Sequence, residues 1–529
     1  MFSKLLALLL AGLLALAPGC TAKPAADSTA ATQIALSDAG VTVDGQAVST
    51  DPTAAVYVGA DIIYYQDGTD DTYGEGTEEE MHSAEDAAAH TVVTITKPGT
   101  YRLTGTLSQG QIAVDLGEDA KDDPKAVVTL VLDNANVTCT VAPALIFYNV
   151  YECDRGFAEY EGEETYAGSP TVDTSAAGAN VILAKESVNT FTGSHVARIY
   201  KEGTTKKLHK YDGAFYSKMS MNILGDSGDD SGLLNIVADN EGLDSELHLT
   251  LNGGTIHITA QNDGINTNED YVSVTTVNGG SLTIDAGLGA EGDGIDSNGY
   301  LVINGGNVFT AASDHSPDGG IDAEMPILLN GGTVSAFGVR NDTASSDSRQ
   351  PYMELSFAQT VPAHSVLELR DEAGSPVWSA VTQKSCQSVT LSCLDLKLDT
   401  VYYLYVDDVQ QVYTGRMMGG GQPPQGGETP ANFDPSQMGE RPADLSEPPE
   451  GFDPAQQDER PSDMPQPPQD GEAPEGFDPS QRGERPSGMP ELPQGGGQFR
   501  GGREEEGEPS ADFVLTADRK SFSGVKAAE

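Results

Sequence analysis

The chain has 529 residues, with 81 acidic against 29 Lys and Arg side chains, and its formal net charge is −52. Phosphate-rich partners need a basic surface, so the charge argues against nucleic acid and against direct docking on an anionic membrane. Gly (60) and Pro (30) are abundant, so we expect part of the chain to lie outside a packed core. An acidic chain of this size favours an extracellular setting, a cation partner or both.

The N-terminus has the pattern of an export signal. Lys4 precedes an apolar run from Leu5 to Leu16, and Ala-Pro-Gly-Cys follows at 17–20. Small residues before a cysteine resemble a bacterial lipoprotein signal, which implies residues 1–20 as signal and lipid attachment at Cys20. The run is shorter than the ~20 residues of a membrane-spanning helix, so membrane contact is expected only through that lipid. Plain secretion is the alternative, and residues 21–33 are expected to be a tether.

Short runs of alternating apolar residues begin after the tether and predict strands. Two acidic segments interrupt them: residues 61–90, interpreted as a surface insertion, and an irregular loop around residues 153–174. A basic cluster then precedes the most regular part of the chain; it consists of Lys206, Lys207, His209 and Lys210. We expect it to pair with the acidic loops, and contact with a polyanionic glycan is the alternative.

The most regular part of the chain is a repeat. Asn-Gly-Gly recurs every 26 residues, at Asn252, Asn278, Asn304 and Asn330. A fixed period of this length indicates a solenoid, whose units bury their apolar faces only against neighbouring units. Alternating apolar residues flank each triplet and indicate strands, while Asn and Gly tolerate the positive φ of tight corners. The pattern predicts an all-β protein with a right-handed parallel β-helix over residues 34–340. The leucine-rich repeat, the competing solenoid, lacks its leucine pattern here.

Acidic residues recur in register with the repeat. Residues 213–339 hold eighteen acidic side chains and one basic side chain, Lys218. Stacked strands lie ~4.8 Å apart, where like charges repel, and one Ca²⁺ between two carboxylates removes that repulsion. We therefore predict calcium between coils, with eight candidate ligands: Asp239, Asp244, Asp263, Asn266, Asp293, Asp296, Asp318 and Asp322. A second candidate group is Asp226, Asp229 and Asp230. The alternative is a solvated acidic rim in which Asp merely favours turns.

Three sequence features together resemble a known family. They are Gly-Thr-Tyr-Arg-Leu-Thr-Gly-Thr-Leu at 99–107, the segment 213–218, and the repeated Asp-Gly-Ile-Asp/Asn plus Asn-Gly-Gly units. They are similar to the bacterial carbohydrate-binding-domain family of exported parallel β-helix proteins, whose fold is like that of pectate lyases. The resemblance covers about residues 34–415. It implies binding of cellulose or polygalacturonate without cleavage, and calcium between coils. The segments 61–90 and 153–174 depart from the compact family pattern.

The sequence predicts no catalytic residue. β-Helix polyuronate lyases need a basic residue, usually Arg, beside the substrate carboxylate, and no Arg lies between Gly213 and Val339. The His-Gly and Arg-Ile-Lys signatures of β-helix polygalacturonases are also missing. We expect a polysaccharide-binding protein, with Tyr216, Tyr271 and Tyr300 as candidate sugar ligands and ordinary packing as the alternative role of each. A structural or adhesive stalk and a lyase or hydrolase are the alternative functions. The oligomeric state is not indicated.

The C-terminal third breaks the period. Strands every 8 to 12 residues predict a small β-sandwich at 350–415 that caps the solenoid and holds the single Trp, Trp378. Residues 416–510 repeat Phe-Asp-Pro in a Pro/Gly/Glu-rich context and are predicted to be disordered, and 511–529 are predicted to add a strand segment. Apart from Cys20, four cysteines allow either two disulfides or free buried thiols, and the possible Cys386–Cys393 pair lies in the sandwich.

Overall fold

The computed structural model of the protein describes residues 31–65, 81–158, 166, 168–196, 211–415 and 509–528. These residues form 34 strands, two short α-helices and a 3₁₀ helix, so the prediction of an all-β protein is confirmed. Several predicted features lie outside the described residues: the signal with Cys20, most of the tether, the basic cluster and the Phe-Asp-Pro repeats.

Most strands belong to three stacks of parallel strands. The first stack contains nine: β1 (Thr32–Leu36), β6 (Gly99–Leu107), β8 (Val128–Thr138), β10 (Ala179–Leu183), β13 (Met221–Gly225), β16 (His248–Leu251), β19 (Val274–Val277), β22 (Tyr300–Ile303) and β25 (Ile327–Leu329). The second stack begins on the C-terminal half of β8 and continues through β11 (Val188–Gly193), β14 (Leu233–Ala238), β17 (Thr255–Ala260), β20 (Ser281–Asp285), β23 (Asn307–Ala311) and β26 (Thr333–Gly338).

The third stack carries the residues of greatest functional interest. It contains β5 (Thr91–Ile95), β7 (Gly110–Asp115), β9 (Leu145–Asn149), β12 (Gly213–Ser217), β15 (Glu241–Ser245), β18 (Ile265–Thr267), β21 (Ile295–Ser297) and β24 (Asp322–Ala323). Alternate side chains of all three stacks enter one continuous apolar core. Each repeat unit visits the third, first and second stack in turn, because its strands follow one another in that order along the chain.

Short elements flank the stacks. The hairpin β2 (Thr42–Val43) and β3 (Gln46–Ala47) pairs with β1, and β4 (Val56–Gly59) adds an antiparallel strand to β5. The helices are α1 (Ala84–Ala88), the 3₁₀ helix (Glu118–Asp122) and α2 (Arg155–Ala158). Helix α1 lies in the predicted acidic insertion and begins with a capping box between Ser83 and Asp86. Within the described ranges, no helix has the length and apolarity needed to cross a bilayer.

The strands after residue 350 are mostly antiparallel, so the sheet topology of the whole is mixed. They are β27 (Tyr352–Val361), β28 (Val366–Asp371), β29 (Pro376–Val381), β30 (Cys386–Ser392), β31 (Thr400–Val406), β32 (Val409–Val412), β33 (Phe513–Leu515) and β34 (Ser521–Ala527). Strand β30 pairs with β26 and with β27, which covers the last edge of the second stack. Strands β33 and β34, from the chain terminus, pair with β31 and β27 and complete a second apolar core.

The Asn-Gly-Gly triplets form the corners that follow the first stack. The Asn side chains make a ladder, in which each amide donates to the Asn carbonyl of the preceding unit: Asn278 to Asn252 at 2.9 Å, Asn304 to Asn278 at 2.9 Å and Asn330 to Asn304 at 3.0 Å. The second glycine of every triplet has φ between +79° and +87°. The triplet therefore recurs in each unit because its Asn joins neighbouring units and its second Gly makes the corner.

Replacement of a corner glycine is expected to destabilise the fold. A Cβ on Gly280, where φ is +79°, would lie 2.4 Å from the Gly254 carbonyl oxygen. We expect Gly280→Ala to lower the free energy of unfolding by about 1–3 kcal/mol, measured by denaturant unfolding. Gly45→Ala is the matched control, since Gly45 has φ +76° but no atom within 4 Å of the new Cβ. Equal losses in the two variants would contradict the role of the close approach between units.

The described cysteines are free thiols, so the disulfide alternative is wrong for Cys139, Cys153, Cys386 and Cys393. Cys386 begins the extended strand β30, and Cys393 directly follows its last residue. Seven residues at ~3.3 Å each separate them by about 23 Å, whereas a disulfide needs Cα atoms within about 7 Å. Burial raises the pKa of Cys139 and of Cys386 to about 12, so both behave as apolar core residues.

Candidate functional site

The third stack aligns a column of acidic and amide side chains. The register of β15, β18, β21 and β24 pairs Asp244 with Asn266, Asn266 with Asp296, and Asp296 with Asp322. We call these four residues the acidic column. The residues on either side of Asp244, Asn266 and Asp296, such as Leu243 and Ser245, are buried, and Ile321 is buried before Asp322. Because successive side chains of a strand point to opposite faces, the acidic column faces away from the apolar core.

Three further carboxylates lie at the corners that precede these strands. They join neighbouring units: Asp263 accepts from the backbone N–H of Asp293 at 2.7 Å, and Asp293 accepts from that of Gly319 at 2.6 Å. Asp318 accepts from Gly292 N–H at 2.7 Å. The eighth candidate, Asp239, is exposed and instead contacts Ser194 and His195 at 2.5 and 3.0 Å.

Burial and mutual repulsion disfavour the charged forms of these acids. Burial, followed by repulsion from Asp296 and Asp293, raises the pKa of Asp263 well above its usual value. The pKa values of Asp293, Asp296 and Asp322 are each raised to about 7, again chiefly by burial and then by neighbouring groups. Carboxylates kept ionised at neutral pH in this arrangement would need a compensating positive charge.

An unsatisfied oxygen lies in the middle of the same column. Asn266 is 8% exposed; its amide nitrogen donates to Glu241 at 3.0 Å, while its carbonyl oxygen accepts no hydrogen bond from any described residue. Buried oxygens without a partner are rare and mark a possible ligand position. Within the described ranges, no three His, Cys, Asp or Glu side chains converge closely enough to hold a metal ion by themselves. A cation here would therefore also use amide, backbone or water oxygens.

The second predicted group of acids has structural partners. Asp229 pairs with Lys185 at 3.0 Å, and its hydrogen bonds with Ser231 are the main reason that its pKa falls to about 2. Asp230 accepts from the Gly254 N–H at 2.7 Å. Asp226 and Asp229 close a tight turn through an isolated β-bridge. These contacts account for the three acids as turn residues.

A second row of polar residues lies two positions after the acidic column, and it begins one unit earlier, two positions after Tyr216, which pairs with Asp244. Each backbone N–H of the row donates to a carbonyl of the preceding unit at 2.9 to 3.1 Å. We call this row, which lies between the third and first stacks, the corner row; it consists of Lys218, Glu246, Asn268, Asn298 and Glu324. The row is as regular as the column, because the same strand pairing continues into it.

A cavity of about 760 Å³ opens at the beginning of the corner row. The 3₁₀ helix, the end of β9 and helix α2 form its remaining walls. Apolar side chains and charged side chains line it together: Phe157, Ala158, Met219 and Leu247, with Glu118, Asp119, Lys121, Asp122, Asn149, Glu152, Lys218, Glu246 and Glu269. Sequence reasoning missed the 3₁₀ helix and Phe157, because neither belongs to the repeat. Lys218 and Glu246 follow strands that pair with each other, so register alone could have linked those two.

The three candidate tyrosines lie in different environments. Tyr216 is fully buried, packs against Tyr211 at 5.1 Å and donates its hydroxyl to Glu246. Its ring is not available to a sugar at the surface, which corrects the expectation for this residue. Tyr271 is 48% exposed with φ +63°, and its N–H donates to the Asn298 carbonyl at 2.5 Å. Tyr300, partly buried, follows Asn298 by two residues, so Tyr271 and Tyr300 flank the corner row.

The described ends of the loop at 153–174 cover part of the first stack. Asp154 contacts buried His248 at 3.2 Å and accepts from Tyr166 at 3.0 Å. The Thr174 hydroxyl lies 2.7 Å from the hydroxyl of Thr250, which is two residues after His248 in β16. His248 and Thr250 are both buried on the outer face of β16. The described loop residues thus occupy this face of the first stack, and the partly exposed corner row lies beside it.

Comparison with known proteins places the chain in a family. A family model described as carbohydrate-binding domain-containing protein matches residues 89–165 and 163–367, together more than half of the 529 residues. No curated protein matches the sequence significantly. Among solved structures, the chain is similar to the polysaccharide lyase-like protein from C. thermocellum, a gadolinium derivative, with 21% identity, a TM-score of 0.32, and coverage of 57% of this chain and 93% of that chain. On the extent of the family match, the chain belongs to the carbohydrate-binding domain-containing protein family.

Proposed function

We propose that this protein binds polysaccharide without cleaving it, along the corner row and into the cavity at its beginning. The observation that carries this proposal is that the cavity and the exposed ring of Tyr271 lie beside one in-register row of polar side chains. Sugars present apolar C–H faces and polar hydroxyls, which suit a cavity with apolar residues such as Phe157 and Met219 among charged ones. Cellulose and pectin-type glycans remain the candidate ligands implied by the family.

The proposal includes the architecture and location of the protein. Parallel strands visited in the order third, first and second stack support a parallel β-helix, and the right-handed sense is the one that parallel crossover connections almost always take. The signal pattern supports export and attachment to the outer face of the membrane through lipid on Cys20. A rigid helix anchored in this way would present its corner row to extracellular glycan.

Calcium on the acidic column is part of the same proposal. Support comes from the unpartnered Asn266 oxygen and from the raised pKa values of Asp293 and Asp296. Ca²⁺ takes six to eight oxygens from carboxylates, amides, backbone and water. The residues suited to hold it are Asp263, Asn266, Asp293, Asp296 and Asp322. The ion would supply the positive charge that lets these buried acids ionise, and so stabilise the stacked units.

The absence of catalysis is supported by the residues near the corner row. Between Gly213 and Val339 the sequence contains no Arg, and Lys218 is its single Lys. Two cavity carboxylates are engaged in the fold, since Glu152 accepts from Ser220 at 2.8 and 2.9 Å and Glu246 accepts from Tyr216. These contacts hold both carboxylates in the cavity wall, which disfavours them as the general acid or base of a glycosidase.

The test is a binding assay with cellulose and polygalacturonate, each with and without EDTA, on the intact protein and on Tyr271→Asn. Asn tolerates the left-handed backbone at this position, so the fold should be kept. We expect Tyr271→Asn to weaken glycan binding by about fivefold or more, the effect of losing an aromatic contact of about 1 kcal/mol. Tyr403→Ala, on the C-terminal strand β31, is the control and should bind as the parent does.

Two outcomes would contradict the proposal. Absence of binding to every glycan would favour a structural stalk. Release of unsaturated or reducing-end products from polygalacturonate between pH 5 and pH 10 would show an enzyme instead.

A further inference from the structure

The cavity carries far more negative than positive charge. Six carboxylates and two ammonium groups line it, and no Arg or His is among the lining residues. We propose that the cavity selects glycans bearing protonated amino groups, such as partly de-N-acetylated hexosamine polymers, over uronate polymers and neutral glucans. This inference rests on the proposed function that the site binds polysaccharide, and it replaces the cellulose and pectin-type glycans implied by the family with another ligand class for the same site.

Three of the cavity carboxylates make contacts within the fold that shape its wall. Asp122 pairs with Arg155 at 2.8 Å. Glu152 is 3% exposed and binds the Ser220 N–H and hydroxyl. Glu246 accepts the hydroxyl of buried Tyr216. These three shape the wall, and they leave the recognition of an outside cation to other residues.

Two carboxylates on the 3₁₀ helix are placed to meet a ligand. Glu118 and Asp119 are exposed, and neither has a hydrogen bond or ion pair with any described residue. Ala120, the next residue, is the buried residue of this helix. Its burial fixes the helix against the protein, and Glu118 and Asp119 are thereby held at the cavity rim. An ammonium group that entered the cavity would replace water around these two carboxylates with a charge-assisted hydrogen bond.

The apolar part of the cavity distinguishes it from a solvated acidic rim. Phe157, Met219 and Leu247 line the same space as the charged groups. A pyranose ring presents C–H groups that can contact these side chains, while an amino substituent reaches the carboxylates. An amino sugar therefore matches both parts of the cavity: its C–H face suits the apolar side chains, and its ammonium group suits the carboxylates.

A uronate polymer meets the opposite situation. Each of its sugars brings a carboxylate toward a cavity whose lining has a net charge of −4, six carboxylates against two ammonium groups. The row beyond the cavity adds Glu324 and lies beside the acidic column, and Lys218 is the sole Lys or Arg of 213–339. Like charges at these separations repel, so uronates would need bridging cations.

Calcium should therefore act in opposite directions on the two ligand classes. It bridges carboxylates and so strengthens binding of galacturonate oligomers, but it competes with an amine for Glu118 and Asp119 and so weakens binding of glucosamine oligomers. Added monovalent salt should weaken amino-glycan binding by screening and leave neutral oligomers nearly unaffected.

The experiment measures affinities of the full chain by calorimetry at pH 6 and low salt. The four probes are β-1,4-linked hexamers of glucosamine, N-acetylglucosamine and glucose, and the α-1,4-linked hexamer of galacturonate. We expect the glucosamine hexamer to bind at least tenfold more tightly than its N-acetylated counterpart. The double variant Glu118→Gln/Asp119→Asn should lose about fivefold in affinity for the glucosamine hexamer and nothing for the glucose hexamer. Glu372→Gln/Asp395→Asn removes two exposed charges far along the chain and is the matched control.

The outcomes separate the two proposals. If no hexamer binds, the proposed function itself fails. If the glucose or galacturonate hexamer binds as tightly as the glucosamine hexamer, glycan binding stands and the amino-sugar inference is overturned. Poly-lysine of matched charge is a further probe. If it binds equally well and with the same loss in the double variant, the cavity recognises charge alone, and the inference is likewise overturned.

Discussion

Removal of divalent cations is expected to lower the unfolding midpoint of this protein at pH 8 and to leave it almost unchanged at pH 4. The folded-state pKa values of Asp293, Asp296 and Asp322 are raised to about 7, above the ordinary value of 3.8. Acids with raised values favour the cation-free fold fully below pH 4, and they lose that contribution as the pH rises through about 7. A bound cation therefore stabilises the fold at pH 8, where these acids are ionised, and has little effect at pH 4, where they are protonated.

The size of the calcium effect follows from mass action. Free Ca²⁺ at 100 times its dissociation constant adds about 2.7 kcal/mol to the free energy of unfolding. The measurement is thermal unfolding with calcium and with EDTA at intervals from pH 4 to pH 8. The unfolding midpoint is plotted against pH once in calcium and once in EDTA. Carboxylates that bind no calcium contribute equally to both plots, so the difference between the plots reports on the acidic column and its corner acids. An unchanged midpoint on chelation at pH 8 would sink the calcium part of the proposal.

A single substitution sharpens this test. Asp293→Asn keeps the oxygen that accepts from Gly319 and removes one buried charge. In EDTA at pH 8 we expect the variant to unfold at a higher temperature than the parent. Addition of calcium should raise the unfolding midpoint of the variant by less than that of the parent. Asp270→Asn is the matched control, because Asp270 is exposed in the preceding unit and outside the column. Equal responses of the two variants would count against a cation bound at Asp293.

Truncation of the single tryptophan, Trp378→Ala, is expected to lower the free energy of unfolding by about 3–5 kcal/mol. Trp378 is 4% exposed, stacks on Phe337 at 6.5 Å, and donates its indole N–H to Ser335 at 2.9 Å. Phe337 and Ser335 belong to β26, the last strand of the second stack. The indole thus joins the C-terminal strands to the parallel stacks, and its loss leaves both a cavity and an unpaired hydroxyl.

The same residue reports whether the C-terminal strands touch glycan. Since the chain has one Trp, its fluorescence comes from this buried site, and we expect no spectral change on glycan binding. Trp378→Phe, which keeps a ring against Phe337, should lose less stability than the alanine variant. Either variant should keep the parent's glycan affinity at a temperature where it is folded. A glycan-dependent shift in emission would show that ligand binding reaches this interface.

The register of the repeats was predictable from the sequence for a physical reason. Asn278 and Asn304 need one another's amides, and the glycines after them need a positive φ, so both requirements recur with every turn of the chain. Strand alternation then aligns Asn266 with Asp296, as their spacing indicated. Local chemistry repeated at a constant period determines the stacking, and the stacking determines the column.

Contacts between distant segments were not predictable in the same way. Tyr216 was expected to be a surface sugar ligand, yet its ring packs against Tyr211 and its hydroxyl donates to Glu246 in the next unit. The cavity likewise needs the 3₁₀ helix at 118–122, helix α2 and the corner row, which are far apart in the chain and share no repeat.

The sequence by itself determined the all-β class, the corners, the aligned acids and the missing arginine between Gly213 and Val339. Each is a property of residue types at short or periodic spacing. Only the tertiary structure decided that the four described cysteines stay unpaired, that the described ends of the loop at 153–174 cover part of the first stack, and that the corner row is partly exposed beside them. Those outcomes depend on which irregular segments pack against the regular stacks, and no periodic pattern specifies that packing.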